Sequence, residues 1–250
     1  MPSIKPFLIL QLRPEDNIAD SEFDAILKYG QLDSADAQRI RIEKNGIPGD
    51  LSLNDYSAII VGGSPFDIST PIESKAPIQC QIEADFQRLL SEVVEKDFPF
   101  LGACSGNGLL GSFLGTTISK KYGEDVGCVA LTLTDEGRRD KLLQGLPDQI
   151  DVLLGHKEAC DTTPEGATLL MRGKQCPVQM FRVGENIYAT QFHPEGDAEE
   201  FTRRIHAYKN HGYFEPHEAQ RLIDHVNEGQ TPHAQEILRR FVDQYSTSRG

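Results

Sequence analysis

No apolar run in this chain is long enough to cross a bilayer or to act as a secretory h-region. The first, FLIL at 7–10, gives way at once to charged residues, whereas a span needs about 20 apolar residues. The expectation is a cytoplasmic protein with no membrane partner. Basic residues are in deficit, 25 Lys and Arg against 38 Asp and Glu, for a formal net charge of -13. A surface of that sign repels phosphate backbones, which argues against a nucleic-acid partner.

Low-complexity tracts, fixed-period repeats and Gly/Ser/Pro-rich linkers are also missing. With 25% charged and 38% hydrophobic residues, the composition is that of an ordinary globular protein. A length of 250 residues favours one main domain with an appendage. The five cysteines (80, 104, 128, 160, 176) form an odd, scattered set without a CxxC, which fits neither a disulfide framework nor a structural zinc site. His156 and Cys160, four apart, make only a weak metal pair, so no metal is assigned. A P-loop GxxxxGK[ST] is absent as well.

Buried strands are expected where Ile-, Val-, Leu- and Phe-rich runs precede glycine- or proline-marked turns: Phe7 to Leu12, Arg39 to Ile42, Ala58 to Val61 and Phe98 to Ala103. Between them, Ile78, Ile82, Phe86, Leu89, Leu90 and Val93 recur at helical spacing over Pro77 to Glu95, and Phe23, Ile26 and Leu27 mark an earlier helix. Alternation of this kind predicts a mostly parallel sheet with flanking helices. The middle of the chain changes to short strands, at 128–134, 150–154, 167–171, 177–183 and 186–192, with VGEN as a hairpin turn. From about residue 197 the pattern is helical, and a stripe of Ala234, Ile237, Leu238, Phe241, Val242 and Tyr245 follows a Thr231-Pro232 start.

The stretch FPFLGACSGNGLLG places Cys104 in the pattern glycine, any residue, nucleophile, any residue, glycine, between a strand and a helix. That is the setting of a nucleophile elbow. A helix N-terminus there is expected to favour the thiolate and lower the thiol pKa. The bland alternative is a small buried hydrophobe. Gly106 to Gly111 also reads GxGxxG, with Asp125 further on, so a dinucleotide loop competes for the same residues. A nucleophilic cysteine needs a base and a group to orient it, and YATQFHPEGD offers His193 and Glu195. Pro194 disfavours helix at His193, so the segment is expected to stay extended, with both side chains on one face. Gly62 and Gly63, closing the strand at 58–61, suit a place where backbone N–H groups line an oxyanion site.

GACSGNG, QFHPE and VGGSP, in these positions, resemble the class I glutamine amidotransferases, and the broader likeness is to a freestanding GMP-synthase-type amidotransferase domain. The resemblance implies a flavodoxin-like, mostly parallel open sheet over residues 1–196, with an antiparallel β extension and a helical appendage at 197–250. By it Cys104 attacks the amide of glutamine, His193 moves protons and Glu195 orients His193. Gly63 and Ser105 supply oxyanion N–H groups, beside Gly62 and Gly108, and no cofactor is required. The product ammonia is passed to a synthase on another chain or simply released. One position departs from the family: Gly108 stands where GxCxGxQ expects glutamine. A larger γ-glutamyl amide or peptide substrate, with room beside Gly108, is therefore one alternative, and a catalytically silent binding or regulatory protein is another.

Overall fold

Strand β1 (Phe7–Gln11) shows how the sequence builds two cores from one sheet. Successive side chains of a strand point to opposite faces. Phe7 and Ile9 accordingly join one hydrophobic cluster, and Leu8 and Leu10 the other. All five residues of the strand are buried, as expected for a strand covered on both faces. The computed structural model describes residues 5–210 and 214–246.

After β1 come α1 (Asp16–Gly30), β2 (Ala37–Arg41), α2 (Ile42–Asn45), β3 (Ala58–Val61), α3 (Pro77–Glu95), β4 (Phe100–Ala103) and α4 (Ser105–Phe113). The helical spacing between 77 and 95 locates α3 correctly, with Pro77 at its first position, where a missing N–H does no harm. Its buried stripe, Ile82, Phe86, Leu89, Leu90 and Val93, packs with Leu8, Leu10, Ile59 and Val61 of the sheet. Ile42, expected to end a strand, instead opens the single-turn α2.

The middle of the chain supplies β5 (Ile118–Ser119), β6 (Glu124–Leu133), α5 (Asp135–Arg139), β7 (Gln149–His156), β8 (Ala159–Cys160), β9 (Thr168–Arg172), β10 (Met180–Val183) and β11 (Ile187–Thr190). Among the described residues one nine-stranded sheet runs β2-β1-β3-β4-β11-β10-β9-β6-β7, and β5 and β8 form a separate ribbon. The pairings from β2 through β11 are parallel, in the 2-1-3-4-5 order of a flavodoxin-like sheet. Those from β11 through β7 are antiparallel, and they make up the expected extension.

Helices α6 (Ala198–Tyr208), α7 (Ala219–Glu228) and α8 (Pro232–Tyr245) complete the chain. Phe201 and Ile205 of α6 meet Leu222, Ile223 and Val226 of α7 over Leu153 of β7. Ile237, Leu238 and Phe241 of α8 return to the main core beside Phe7, Ile9 and Ile26. Phe241 stands edge-on to Tyr188 of β11, with ring centroids 6.4 Å apart. Burying side chains of this size stabilises by about 1.5–3 kcal/mol each, which fastens both ends of the tail to the sheet. No described helix is long and apolar enough to cross a membrane.

Candidate active site

Cys104 lies directly after β4, at the carboxyl end of the parallel block where α/β folds bind their ligands. Its backbone is forced into φ 51° and ψ -95°, a region that side chains other than glycine rarely occupy. The turn depends on the flanking glycines. A Cβ at Gly102 would sit 2.7 Å from the Gly106 carbonyl carbon, and one at Gly106 would press on Val61 at 3.2 Å. The Cys104 N–H donates to the Thr190 carbonyl at 2.8 Å. Because β4 and β11 are neighbours in register, Ala103 beside Thr190, the chain after each strand emerges at the same place. Cys104 and His193 therefore line one pocket together with Arg13, Ser64, Phe201 and Arg204.

GNGLLG proves to be the body of α4 rather than a loop, since the helix starts at Ser105. A phosphate loop has to precede a helix with its N–H groups free, so the dinucleotide reading fails here.

The imidazole and its carboxylate meet through a turn, not through the extended segment that Pro194 suggested. β11 ends at Thr190, and the Gly196 N–H donates to the His193 carbonyl at 3.1 Å. Proline at the second position and glycine at the fourth suit such a turn. Nδ1 of His193 stands 2.6 Å from Oε1 of Glu195, and both residues are buried. The carboxyl of Glu195 is held far below its usual pKa by His193 and Arg204, which outweigh burial. It is ionised, so Nδ1–H donates to it and Nε2 carries the lone pair. Edge contact with Phe201, at 5.5 Å between centroids, fixes the ring plane.

Behind this pair lies a buried charge network that the sequence patterns did not announce. Nη2 of Arg204, on α6, lies 2.9 Å from Oε1 of Glu195 and 3.4 Å from Oε2 of Glu22. Its Nε pairs with Glu200 one turn earlier on the same helix. Arg13, just past β1, donates from Nε to Oε2 of Glu22 at 2.9 Å, and Gln11 donates to Oε1 of Glu22 at 3.1 Å. Burial, with the nearby carboxylates of Glu195 and Glu22, pushes Glu200 up to about 7 despite Arg204 and Arg13. A division of the chain at residue 196 therefore separates Glu195 from the arginine that holds it. The available signals were Arg13 at a strand's carboxyl end and the four-residue spacing of Glu200 and Arg204.

The expected low thiol pKa is not what this environment produces. The protein packed round Cys104 pushes the thiol up to about 11; Arg13 and Arg204 pull it down, while Glu195 and Glu158 add to the rise. Burial lowers His193 from its ordinary 6.5, and Arg204 adds to that. The resting pair near neutral pH is consequently a thiol beside an uncharged imidazole. A thiol and a basic imidazole on one pocket wall, with an ionised carboxylate behind the imidazole, are the parts needed for nucleophilic acyl transfer.

Gly63 is wedged beside the imidazole, where an added Cβ would lie 2.8 Å from Cε1 of His193 and against the Arg13 guanidinium. Its N–H donates to Oε2 of Glu22 at 3.3 Å. At Gly62 a Cβ would collide with the Glu22 carboxylate. Ser105 opens α4, where the first N–H groups have no partner within the helix. Ser105 and Gly108 line a second lobe of the pocket on the other side of Cys104, with Phe66 and Glu158. A Cβ at Gly108 would meet Cδ1 of Ile68 at 2.8 Å, so a larger group beside Gly108 needs the tip of that side chain to turn aside. Main-chain N–H groups of Ile68 and Ser69 donate to the Glu158 carboxylate at 2.6 and 2.8 Å, which holds the backbone of this loop.

The pairing of His156 with Cys160 does not form. Cys160 turns its thiol to Oδ1 of Asn107. His156 lies instead with Glu124 and Cys176, their ligand atoms all within 4.8 Å of one another.

The family model of the class I glutamine amidotransferases matches residues 25–213, and the chain belongs to that family. It is similar to the glutamine-hydrolysing GMP synthase of Streptomyces avermitilis, 28% identical over 186 residues, which are 72% of this chain and 32% of that protein. The chain thus spans about a third of that relative. It is likewise 29% identical over 144 residues to a glutamine-hydrolysing GMP synthase subunit of Sulfurisphaera tokodaii, covering 57% of this chain and 69% of the relative. A glutamine amidotransferase from Thermotoga maritima has the same fold, with a TM-score of 0.77 at 21% identity over 98% of this chain and all of that one.

Proposed function

We propose that this chain hydrolyses the side-chain amide of glutamine through a γ-glutamyl thioester on Cys104 and delivers the ammonia to a synthase on another chain. The single observation that carries the reading is the strained Cys104 elbow in one pocket with a Glu195-oriented His193. Family membership supports it, as do relatives named as GMP synthases or as one subunit of that enzyme.

In this reading Nε2 of His193 accepts the Cys104 proton as sulfur bonds to the amide carbon. The resulting oxyanion takes hydrogen bonds from the main-chain N–H of Ser105 and, once released from Glu22, of Gly63. His193 returns the proton to nitrogen, the C–N bond breaks, and ammonia leaves a thioester. Water then gives a proton to His193 and attacks the same carbon, and as glutamate is released the departing sulfur takes that proton back from His193. Glu195 stays ionised and holds Nδ1–H throughout, and no cofactor enters.

The test pairs glutamate release from glutamine with mass spectrometry after exposure to an electrophilic glutamine analogue. We expect a covalent adduct on Cys104 of the whole chain, and loss of both signals in Cys104→Ala. An analogue that leaves Cys104 unmodified at saturation would make the chain a silent binding protein. Turnover of γ-glutamyl conjugates with glutamine ignored would reassign the substrate.

A further inference from the structure

Beside the pocket lobe that His156 shares with Cys104, three buried side chains from separate stretches of chain converge, and none of them takes part in the acyl transfer proposed above. Glu124 opens β6, His156 ends β7, and Cys176 lies in the loop before β10. The side chains of His156 and Glu124 are 2% and 8% exposed, and Cys176 is fully buried. Their ligand atoms lie within 4.8 Å of one another.

The hydrogen bonds of His156 set a condition on this cluster. Nδ1 lies 3.0 Å from the main-chain oxygen of Glu158. A carbonyl only accepts, so Nδ1 carries the hydrogen. In a neutral ring Nε2 is then a bare lone pair, yet it stands 3.0 Å from Oε2 of Glu124, another acceptor. Two acceptors at that distance need a cation between them, either a proton or a metal ion. A histidine whose Nδ1–H is held by a backbone carbonyl while Nε2 faces a carboxylate and a thiol is arranged as metal-binding histidines are.

Gln179 adds an independent observation. It is fully buried, its Nε2 donates to the same Glu124 oxygen at 2.5 Å, and its Oε1 has no partner among the described residues. A half-turn of the carboxamide presents that oxygen to a cation as a fourth donor. A cleft of about 220 Å³ whose lining includes Glu124, Asp125 and His156 gives entry from solvent.

We infer that Glu124, His156 and Cys176 form a binding site for one divalent cation of the zinc type. Sulfur, imidazole and carboxylate together suit zinc rather than calcium or magnesium, which take oxygen donors. Bond lengths of about 2.0–2.3 Å place tetrahedral donors roughly 3.5 Å apart. The site reaches that spacing by drawing Cys176 inward and parting Nε2 from Oε2. Binding releases the thiol proton, and carboxylate, thiolate and neutral imidazole then balance the two positive charges. The cation would clamp β6, β7 and the loop before β10 behind the pocket wall, where the carbonyl of Glu158 orients His156.

The experiment loads the whole chain, stripped by chelator, with Zn²⁺ or Co²⁺ alone, removes excess by dialysis, and reads metal per chain and the near-ultraviolet spectrum. The expected result is one ion per chain and a sulfur-to-cobalt charge-transfer band that Cys176→Ser abolishes. Cys104→Ala and Cys160→Ser should keep both signals. Should Cys176→Ser fail to fold, His156→Gln serves instead, with retained metal falling at least tenfold. Stoichiometry far below one, or metal lost with Cys104→Ala but kept in Cys176→Ser or His156→Gln, overturns the inference. The former leaves a protonated His156–Glu124 pair as the occupant of the gap, and the latter assigns the metal to the catalytic thiol.

Discussion

Oxygen Oε1 of Glu195 serves two partners at once: Nδ1 of His193 at 2.6 Å and Nη2 of Arg204 at 2.9 Å. Arg204 comes from α6 and never needs to touch substrate to matter. Its substitution by methionine leaves Glu22, Glu195 and Glu200 buried with one cation fewer. Breaking a buried pair from one side typically costs about 3–5 kcal/mol, so the melting temperature should fall sharply. Arg204→Lys keeps the charge but not the fork; we expect a folded protein with lowered kcat and a near-normal KM. Unchanged kcat in Arg204→Lys would show that Glu195 holds the imidazole unaided.

The protonation states predict a pH profile. Cys104 is pushed up to about 11 and His193 down from 6.5. Alkylation of Cys104 by iodoacetamide should be slow at neutral pH and accelerate as pH rises towards the thiol value. The kcat/KM for glutamine should have its acid limb below pH 6.5, because lowering the imidazole pKa keeps the base available at lower pH. Fast alkylation, flat between pH 6 and 8, would instead indicate a thiolate–imidazolium pair.

Glu200 offers a stability test. Its folded value of about 7 lies above the ordinary 4.5, so between those limits the folded chain holds the proton more tightly than the unfolded one. Stability falls as pH rises through this window. Glu200→Gln removes that dependence. Its melting temperature relative to the parent should be more favourable at pH 8 than at pH 5, and the opposite order in a calorimeter would refute the assignment.

The elbow strain can be read from two replacements of one residue. Glycine normally stabilises a folded chain less than alanine, by roughly 0.5–1 kcal/mol in regular structure. At φ 51° and ψ -95° the order should reverse, with Cys104→Gly at least as stable as Cys104→Ala in denaturant titration. Both should be inactive.

At Gly63 even one methyl group is too much. The added Cβ of Gly63→Ala meets His193 2.8 Å away, so kcat should drop by about tenfold or more while the circular dichroism spectrum stays that of the parent. Full activity in this variant would show that the loop after β3 moves freely away from the imidazole.

Local patterns located most of the elements. The period of apolar residues placed α3 from Pro77 to Glu95, and an unbroken apolar run placed β3 from Ala58 to Val61, since both signals act over a few neighbouring residues. Residues 102–106 likewise marked the elbow, because the crowding that demands glycine at 102 is set by Gly106 only four positions away. His193 and Glu195 were legible as a pair, but the turn that joins them was not, since a proline fits an extended chain and a turn equally well.

The amino-acid order by itself determined most of the elements, the glycine-flanked thiol and the HPE segment. Only the tertiary structure decided the rest. It set β11 beside β4, brought Arg13, Glu22 and Arg204 behind the imidazole, and laid the tip of Ile68 against Gly108. It also reversed the expected shift of the Cys104 thiol, because burial depends on everything packed around a group, whereas a helix N-terminus is written into the adjacent residues.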